Sequence, residues 1–361
     1  MLSTWGAAIR YLGNRAIVRS IHQSVGINEA HKSGWRGLGP LFTEHMDFHP
    51  QSSTAQGLDS STPPFLAVVL HGLLGAGRNL RGFASELFSS VANASHSTWK
   101  VVLVDLRCHG RSAKERFHGP HTLESAARDV ISTVNANWPY GGINVLIGHS
   151  LGGKVALEIT QSLGSSGTSE EDETATAGKT GFLLRPPQQT WTLDSIPGKV
   201  PDPPTDTSAE VLKVLTEVSK IPQPLSSRNE LSKHLDAVGL RGVAFQKWLA
   251  SNLVARSKNE YVFTFDIPGV KDLYNSYRKT EYWDLLQLPP QNCEIHIVKA
   301  MRGGRWKGEM SDRLSTVAAQ SHGKTVLHEM PHVGHWLHAE DPKGLAALMA
   351  PIVARISNPH S

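Results

Sequence analysis

The stretch that most constrains this chain is residues 144–159, NVLIGHSLGGKVALEI. A run of Val, Leu and Ile passes through Gly148-His149-Ser150-Leu151-Gly152 straight into an apolar helical pattern. So abrupt a change from strand to helix needs a tight turn. The backbone at its tip is strained, and the flanking positions must lack side chains. G-x-S-x-G meets that requirement and holds a serine hydroxyl clear of the sheet. The following helix offers its first free N–H groups to a developing oxyanion. A second reading starts at the same Gly148, because G-H-S-L-G-G-K-V approaches the phosphate loop G-x-x-x-x-G-K-[ST]. Val155 stands where that loop needs a magnesium-binding hydroxyl, so the nucleotide reading fails. Lys154 is then expected on the helix surface or behind the site.

Similar apolar runs recur. FLAVVLHG (65–72), KVVLVDLRCHG (100–110) and INVLIGHS (143–150) predict strands buried on both faces. Helical patterns occupy 79–91 and 122–138, the second with Thr122 as its N-cap. Further strands are expected at 189–197, 293–301 and 324–330, with a closing helix near 343–356. This alternation predicts an α/β fold with a mostly parallel sheet. Its core is divided between 65–197 and 289–357. Residues 198–288 read as mostly helical and break the alternation, as an inserted lid would. Residues 44–64 are Ser-, Pro- and His-bearing and read as a linker, and 164–188 as an acidic surface insertion.

Charge is distributed unevenly. Residues 1–43 hold Arg10, Arg15, Arg19, Lys32 and Arg36 against Glu29 alone, which accounts for the whole net charge of +4. The remainder is neutral, so no folded face carries the basic footprint of a nucleic-acid binder. An Arg-rich, acid-poor amphipathic start is the composition of an organelle transit peptide, and the prominence of arginine favours mitochondrion over chloroplast. No window is apolar for long enough to span a membrane. Cys108 and Cys293 cannot build a disulfide framework, and no Cys or His pair has the spacing of a zinc site.

Reactive groups of a parallel sheet gather at the C-terminal strand ends, where His71, Asp105, Ser150, Asp194 and His335 all fall. A serine nucleophile on such an elbow needs an acid and then a histidine later in the chain. His335, in VGHWLHAEDP, is the expected base, with Trp336 able to wall the site. Asp194 ends TWTLD and is the favoured acid, and Asp266 in VFTFDIPG is the alternative. Asp105 precedes the serine and is expected to cap the turn RCHGRS. The oxyanion donors are the N–H groups of Leu73, in LHGLLG, and of Leu151. The lid at 198–288 is expected to set acyl-chain size, with bulky residues at 247–249 and 281–283 either lining the site or, as burial preferences favour, packing the lid helices against the core.

HGLLG, DLRCHGRS, GHSLGGK and GHWLHAEDP, in that order, resemble the α/β-hydrolase superfamily. With LDSIP added, the set is similar to a subfamily of small serine esterases that has bacterial and mitochondrial members. The resemblance covers about residues 65–357. It implies an α/β-hydrolase fold with a helical lid inserted after the sixth strand. It carries over Ser150 as nucleophile, His335 as base, and Leu73 and Leu151 as oxyanion donors. The bacterial members place their acid at the position of Asp194. The mitochondrial members use a later aspartate, whose position falls here on Pro268, beside Asp266. The implied partner is a small-molecule acyl ester or thioester, with no cofactor, no metal and no nucleic acid. Oligomeric state leaves no signature in the sequence. The alternative is a slow or non-catalytic ligand-binding protein on the same scaffold.

Overall fold

The Val-, Leu- and Ile-rich runs become neighbouring strands in the computed structural model, which describes residues 39–51, 63–115, 117–139, 142–165, 185–200, 207–302 and 304–357. In chain order the strands are β1 (Thr43–Phe48), β2 (Phe65–Leu70), β3 (Trp99–Val104), β4 (Val145–His149), β5 (Gln189–Leu193), β6 (Leu253–Ser257), β7 (Glu260–Phe263), β8 (Glu294–Ala300) and β9 (Thr325–Met330). Seven of them form one sheet in the order β1-β3-β2-β4-β5-β8-β9. All of its neighbours run parallel except β1, which lies antiparallel on β3 with Thr43 opposite Val104. β4 sits at the centre, and every one of its residues is buried.

β1 corrects the linker reading of 44–64. Its six residues, TEHMDF, alternate toward and away from the protein. Glu44 and Asp47 form ion pairs with Arg81 and Lys100. A short edge strand with a charge on each face has the composition of a loop, and such charge is also what keeps an edge from pairing with other chains. The rest of that stretch, 52–62, lies outside the described residues.

Helices cover both faces. They are α1 (Arg81–Ser95), α2 (Leu123–Asn137), α3 (Leu151–Ser165), α4 (Thr207–Lys220), α5 (Arg228–Ala237), α6 (Val243–Ser251), α7 (Ile267–Lys279), α8 (Trp283–Gln287), α9 (Glu309–Gln320), α10 (Leu337–Glu340) and α11 (Pro342–Ala354). One core joins Phe83 and Leu87 of α1 to Leu345 and Met349 of α11. The other joins Val130 of α2 and Val155 of α3 to Val218, Leu249 and Val270 of the lid. The lid thus shares a hydrophobic core with the sheet's helices. The side chains from Leu151 to Thr160 are all buried, as a helix covered on every side requires. Thr122 caps α2 as expected, its hydroxyl accepting from the Ser125 N–H.

The lid comprises α4 to α8 and a β6–β7 hairpin that the helical pattern did not announce. It leaves the sheet after β5, the fifth described strand, rather than after a sixth, because one antiparallel strand alone precedes β2 among the described residues. The basic segment 1–38 and residues 166–184 of the expected insertion lie outside the described residues. No helix of the described residues is long and apolar enough to cross a membrane.

Candidate active site

Ser150 follows β4 with φ 52°, a left-handed backbone that a serine adopts only when its surroundings enforce it. The enforcing contacts come from β5. The Ser150 N–H donates to the Leu193 carbonyl at 3.0 Å, and the Ser195 hydroxyl donates to the Ser150 carbonyl at 2.7 Å. A Cβ on Gly148 would lie 2.1 Å from the Gly152 oxygen, and one on Gly152 would lie 2.5 Å from the His71 oxygen. Both glycines of G-x-S-x-G are therefore sterically required. Gly153 is required as well, since a Cβ there would sit 2.4 Å from that of Ser195.

Ser150 and His335 line one cavity of about 270 Å³. The His335 Nδ1–H donates to Asp194 Oδ2 at 2.6 Å. That bond fixes the tautomer and leaves Nε2 as the basic nitrogen. Asp194 follows β5 at φ 47° and is almost fully buried. Its Oδ1 accepts from the Trp306 indole N–H at 2.5 Å and from the Ala300 N–H at 3.1 Å. Burial pushes the carboxyl up, but the His335 hydrogen bond, the Arg305 charge and the Trp306 hydrogen bond outweigh it, and the pKa ends below the usual carboxylate range. Burial and the cation of Arg305 lower the His335 pKa, and Asp194 only partly offsets them. The imidazole is therefore neutral at rest and able to take a proton.

The loop after β2 faces the same cavity. His71 and His109 brace it: His71 Nε2 accepts from the Leu106 N–H and His109 Nε2 from the Leu74 N–H, each at 3.0 Å. The Gly75 N–H donates to the Gly72 carbonyl at 3.0 Å. Leu73, just before these engaged groups, lines the cavity. Leu151 opens α3, and a first helical residue has no partner for its N–H within the helix. Both residues expected to supply oxyanion donors therefore line the cavity that holds Ser150.

Asp266, the alternative acid, lies elsewhere. It precedes α7, its N–H donates to the Cys108 carbonyl at 2.9 Å, and it does not line the cavity. Asp105 has the structural role expected of it. Its carboxylate accepts from the N–H groups of Gly77 and Arg111, both at 2.7 Å. Of the two places open to Lys154, the surface and a position behind the site, it takes the second and is wholly buried. Its ammonium donates to the carbonyls of Gly198, Tyr277 and Thr280 at 2.8, 2.6 and 2.7 Å. It ties α3 to the lid.

The chain matches the α/β hydrolase family over residues 67–348, most of its length. It belongs to that family. Among curated proteins, a yeast (Saccharomyces cerevisiae) protein named probable alcohol acetyltransferase is 32% identical over 101 residues, 28% of this chain and 27% of that protein. The sn-1-specific diacylglycerol lipase ABHD11 of Danio rerio is 34% identical over 101 residues, again 28% of this chain and 27% of that one. The chain thus matches 27% of the length of each of these relatives. Among solved structures, a marine microorganism esterase superposes with a TM-score of 0.62 at 18% identity, covering 86% of this chain and 98% of that one. At that identity the likeness concerns the fold.

Within this α/β-hydrolase fold, three residues of the site had no role assigned from sequence. Arg305 and Trp306 belong to the basic run after β8, and both bind Asp194. His149 places its Nε2 2.8 Å from the His335 carbonyl, and its ring lies between those of His335 and His338. Burial, then the neighbouring histidines, hold His149 well below the ordinary histidine pKa. It is therefore a neutral donor to that carbonyl. The excess of Arg and Trp in MRGGRWKG was the available signal, and it gave no hint of a partner 111 residues earlier in the chain.

Proposed function

We propose that this chain is a serine hydrolase that cleaves an ester or thioester of a small to medium acyl group through an acyl-enzyme on Ser150. The observation that carries this reading is a left-handed Ser150 sharing one cavity with a His335 that is hydrogen-bonded to buried Asp194. His335 Nε2 takes the hydroxyl proton as Ser150 Oγ attacks the carbonyl carbon. The N–H groups of Leu73 and Leu151 hold the tetrahedral oxyanion, each contributing about 3 kcal/mol. The proton on His335 passes to the leaving alcohol or thiol. Water, activated by the same imidazole, then releases the acid. Asp194 orients the ring and stabilises its protonated form without itself being protonated.

The cavity supports an apolar acyl group. Leu74, Ile196, Val211, Val214 and Trp248 wall it, three of them from the lid helices. The names of the two curated relatives, an alcohol acetyltransferase and a lipase, both denote acyl chemistry on ester bonds. Turnover of p-nitrophenyl acetate and butyrate tests the proposal. Ser150→Ala should lose on the order of 10⁴-fold or more in kcat. A variant that keeps most of its turnover would refute the nucleophile. We also infer that the Arg-bearing segment at 1–43 directs the chain to mitochondria. Fusing it to a fluorescent protein should give mitochondrial signal, and cytosolic or plastid signal would overturn the inference.

A further inference from the structure

Cys108, His121 and Asp266 come from three separate parts of the chain, yet one ligand atom from each lies within 4.8 Å of the others. Cys108 lies in the turn after β3, His121 just before α2, and Asp266 at the start of lid helix α7. None of the three lines the Ser150 cavity. We propose that these three side chains bind a zinc ion that clasps the lid to the core.

The donor set is a sulfur, an imidazole nitrogen and a carboxylate oxygen, the mixture zinc accepts, with a water to complete a tetrahedron. The Cys108 Sγ lies 3.3 Å from His121 Nδ1. Tetrahedral zinc, with bonds of about 2.3 Å to sulfur and about 2.1 Å to nitrogen, separates those two atoms by about 3.6 Å. For that pair a shift of a few tenths of an ångström suffices, and the Asp266 carboxylate oxygen lies within 4.8 Å of both atoms. The backbone already holds the ligands in place without the ion. The Asp266 N–H donates to the Cys108 carbonyl at 2.9 Å, and Arg107 Nη1 donates to the carbonyl of Pro120, next to His121, at 2.9 Å.

Two local departures from ordinary structure converge on the same point. Cys108 adopts φ 63°, a left-handed conformation that a cysteine rarely takes. Asp266 stands at the N-cap of α7, where an aspartate normally accepts from the helix's first N–H groups, but it makes no such bond. Its carboxylate instead borders the thiol. A Cβ on Gly269 would lie 2.4 Å from Cys108 Sγ and 2.8 Å from Asp266 Oδ2, so the glycine leaves room for both atoms. Binding displaces the thiol proton to solvent and forms a zinc–thiolate bond. Because α7 also carries Tyr274 and Tyr277 to the cavity wall, the ion would fix the lid wall as well.

Cobalt(II) in place of zinc tests this on the full-length, chelator-treated protein, since a cobalt–thiolate bond has its own charge-transfer absorption. With two cysteines in the chain the assignment is binary. The expected result is one equivalent of cobalt giving that band, displaced by zinc, kept in Cys293→Ser and lost in Cys108→Ser. His121→Gln should weaken zinc at least tenfold by calorimetry. Wild-type protein without the band, or a band that survives Cys108→Ser, would overturn the proposal. The wild-type and Cys293→Ser spectra decide the matter even where Cys108→Ser fails to fold.

Discussion

Asp194 is held by an indole, a backbone amide and an imidazole, with a guanidinium 3.7 Å away. Such a carboxylate can orient His335 and nothing else. Asp194→Asn should therefore leave the circular dichroism spectrum unchanged and lower kcat about 10⁴-fold through the wrong tautomer. A loss below tenfold would remove Asp194 from the mechanism. The pH profile carries a second prediction. The proposed mechanism needs neutral His335, and burial and Arg305 both lower its pKa. The acid limb of kcat/KM should therefore fall below the ordinary histidine value of about 6.5. A cation disfavours the imidazolium, so Arg305→Met should move that limb upward. A limb that stays in place or moves down would show that the charge of Arg305 does not reach the ring. That Ser150 and His335 meet in one cavity could be anticipated, because a glycine-flanked turn and the order of residues along the chain single them out. The roles of Arg305 and Trp306 could not, because they act through Asp194, 111 and 112 residues away in the chain.

At the scale of elements, the apolar runs named their own strands because burial on both faces leaves no polar alternation to confuse. β1 escaped for the opposite reason, since its charged residues, one on each face, resemble a loop. For Lys154 the sequence left a surface and a buried position open, because a helix pattern does not reveal what covers the helix, and here the lid lies over α3. Burial lowers its ammonium from 10.5 to about 7. Between those values the unfolded chain binds a proton that the native state does not. The lysine thus makes stability rise with pH across that window, by up to about 1.4 kcal/mol per unit. Urea unfolding at pH 7 and pH 9 should show a larger gain for the wild type than for Lys154→Met. Equal gains would mean that three carbonyl acceptors keep the buried ammonium charged throughout.

For the whole molecule, the sequence pointed to a lid that sets acyl-chain size, and Val211, Val214 and Trp248 of the lid do line the cavity that holds Ser150. The aromatic residues expected to pack lid helices divide between two roles. Tyr282 is buried and donates to Glu158 at 2.8 Å, whereas Trp248 lines the cavity and meets Trp336 with ring centroids 5.4 Å apart. Trp248→Ala should open the cavity to longer chains. With about 0.8 kcal/mol for each methylene newly buried, the octanoate-to-butyrate ratio of kcat/KM should rise at least tenfold. An unchanged ratio would place the acyl path elsewhere. Sheet order and the meeting of Cys108, His121 and Asp266 were invisible in the sequence, because both depend on crossovers between distant segments. The central claim is that Ser150 is an activated nucleophile. Its most direct test is intact-protein and peptide mass spectrometry after exposure to a fluorophosphonate. The account predicts one adduct, on the peptide carrying Ser150, and none in Ser150→Ala. A folded wild-type protein that takes no adduct, or takes it on another residue, would contradict the account and favour a ligand-binding role for the scaffold.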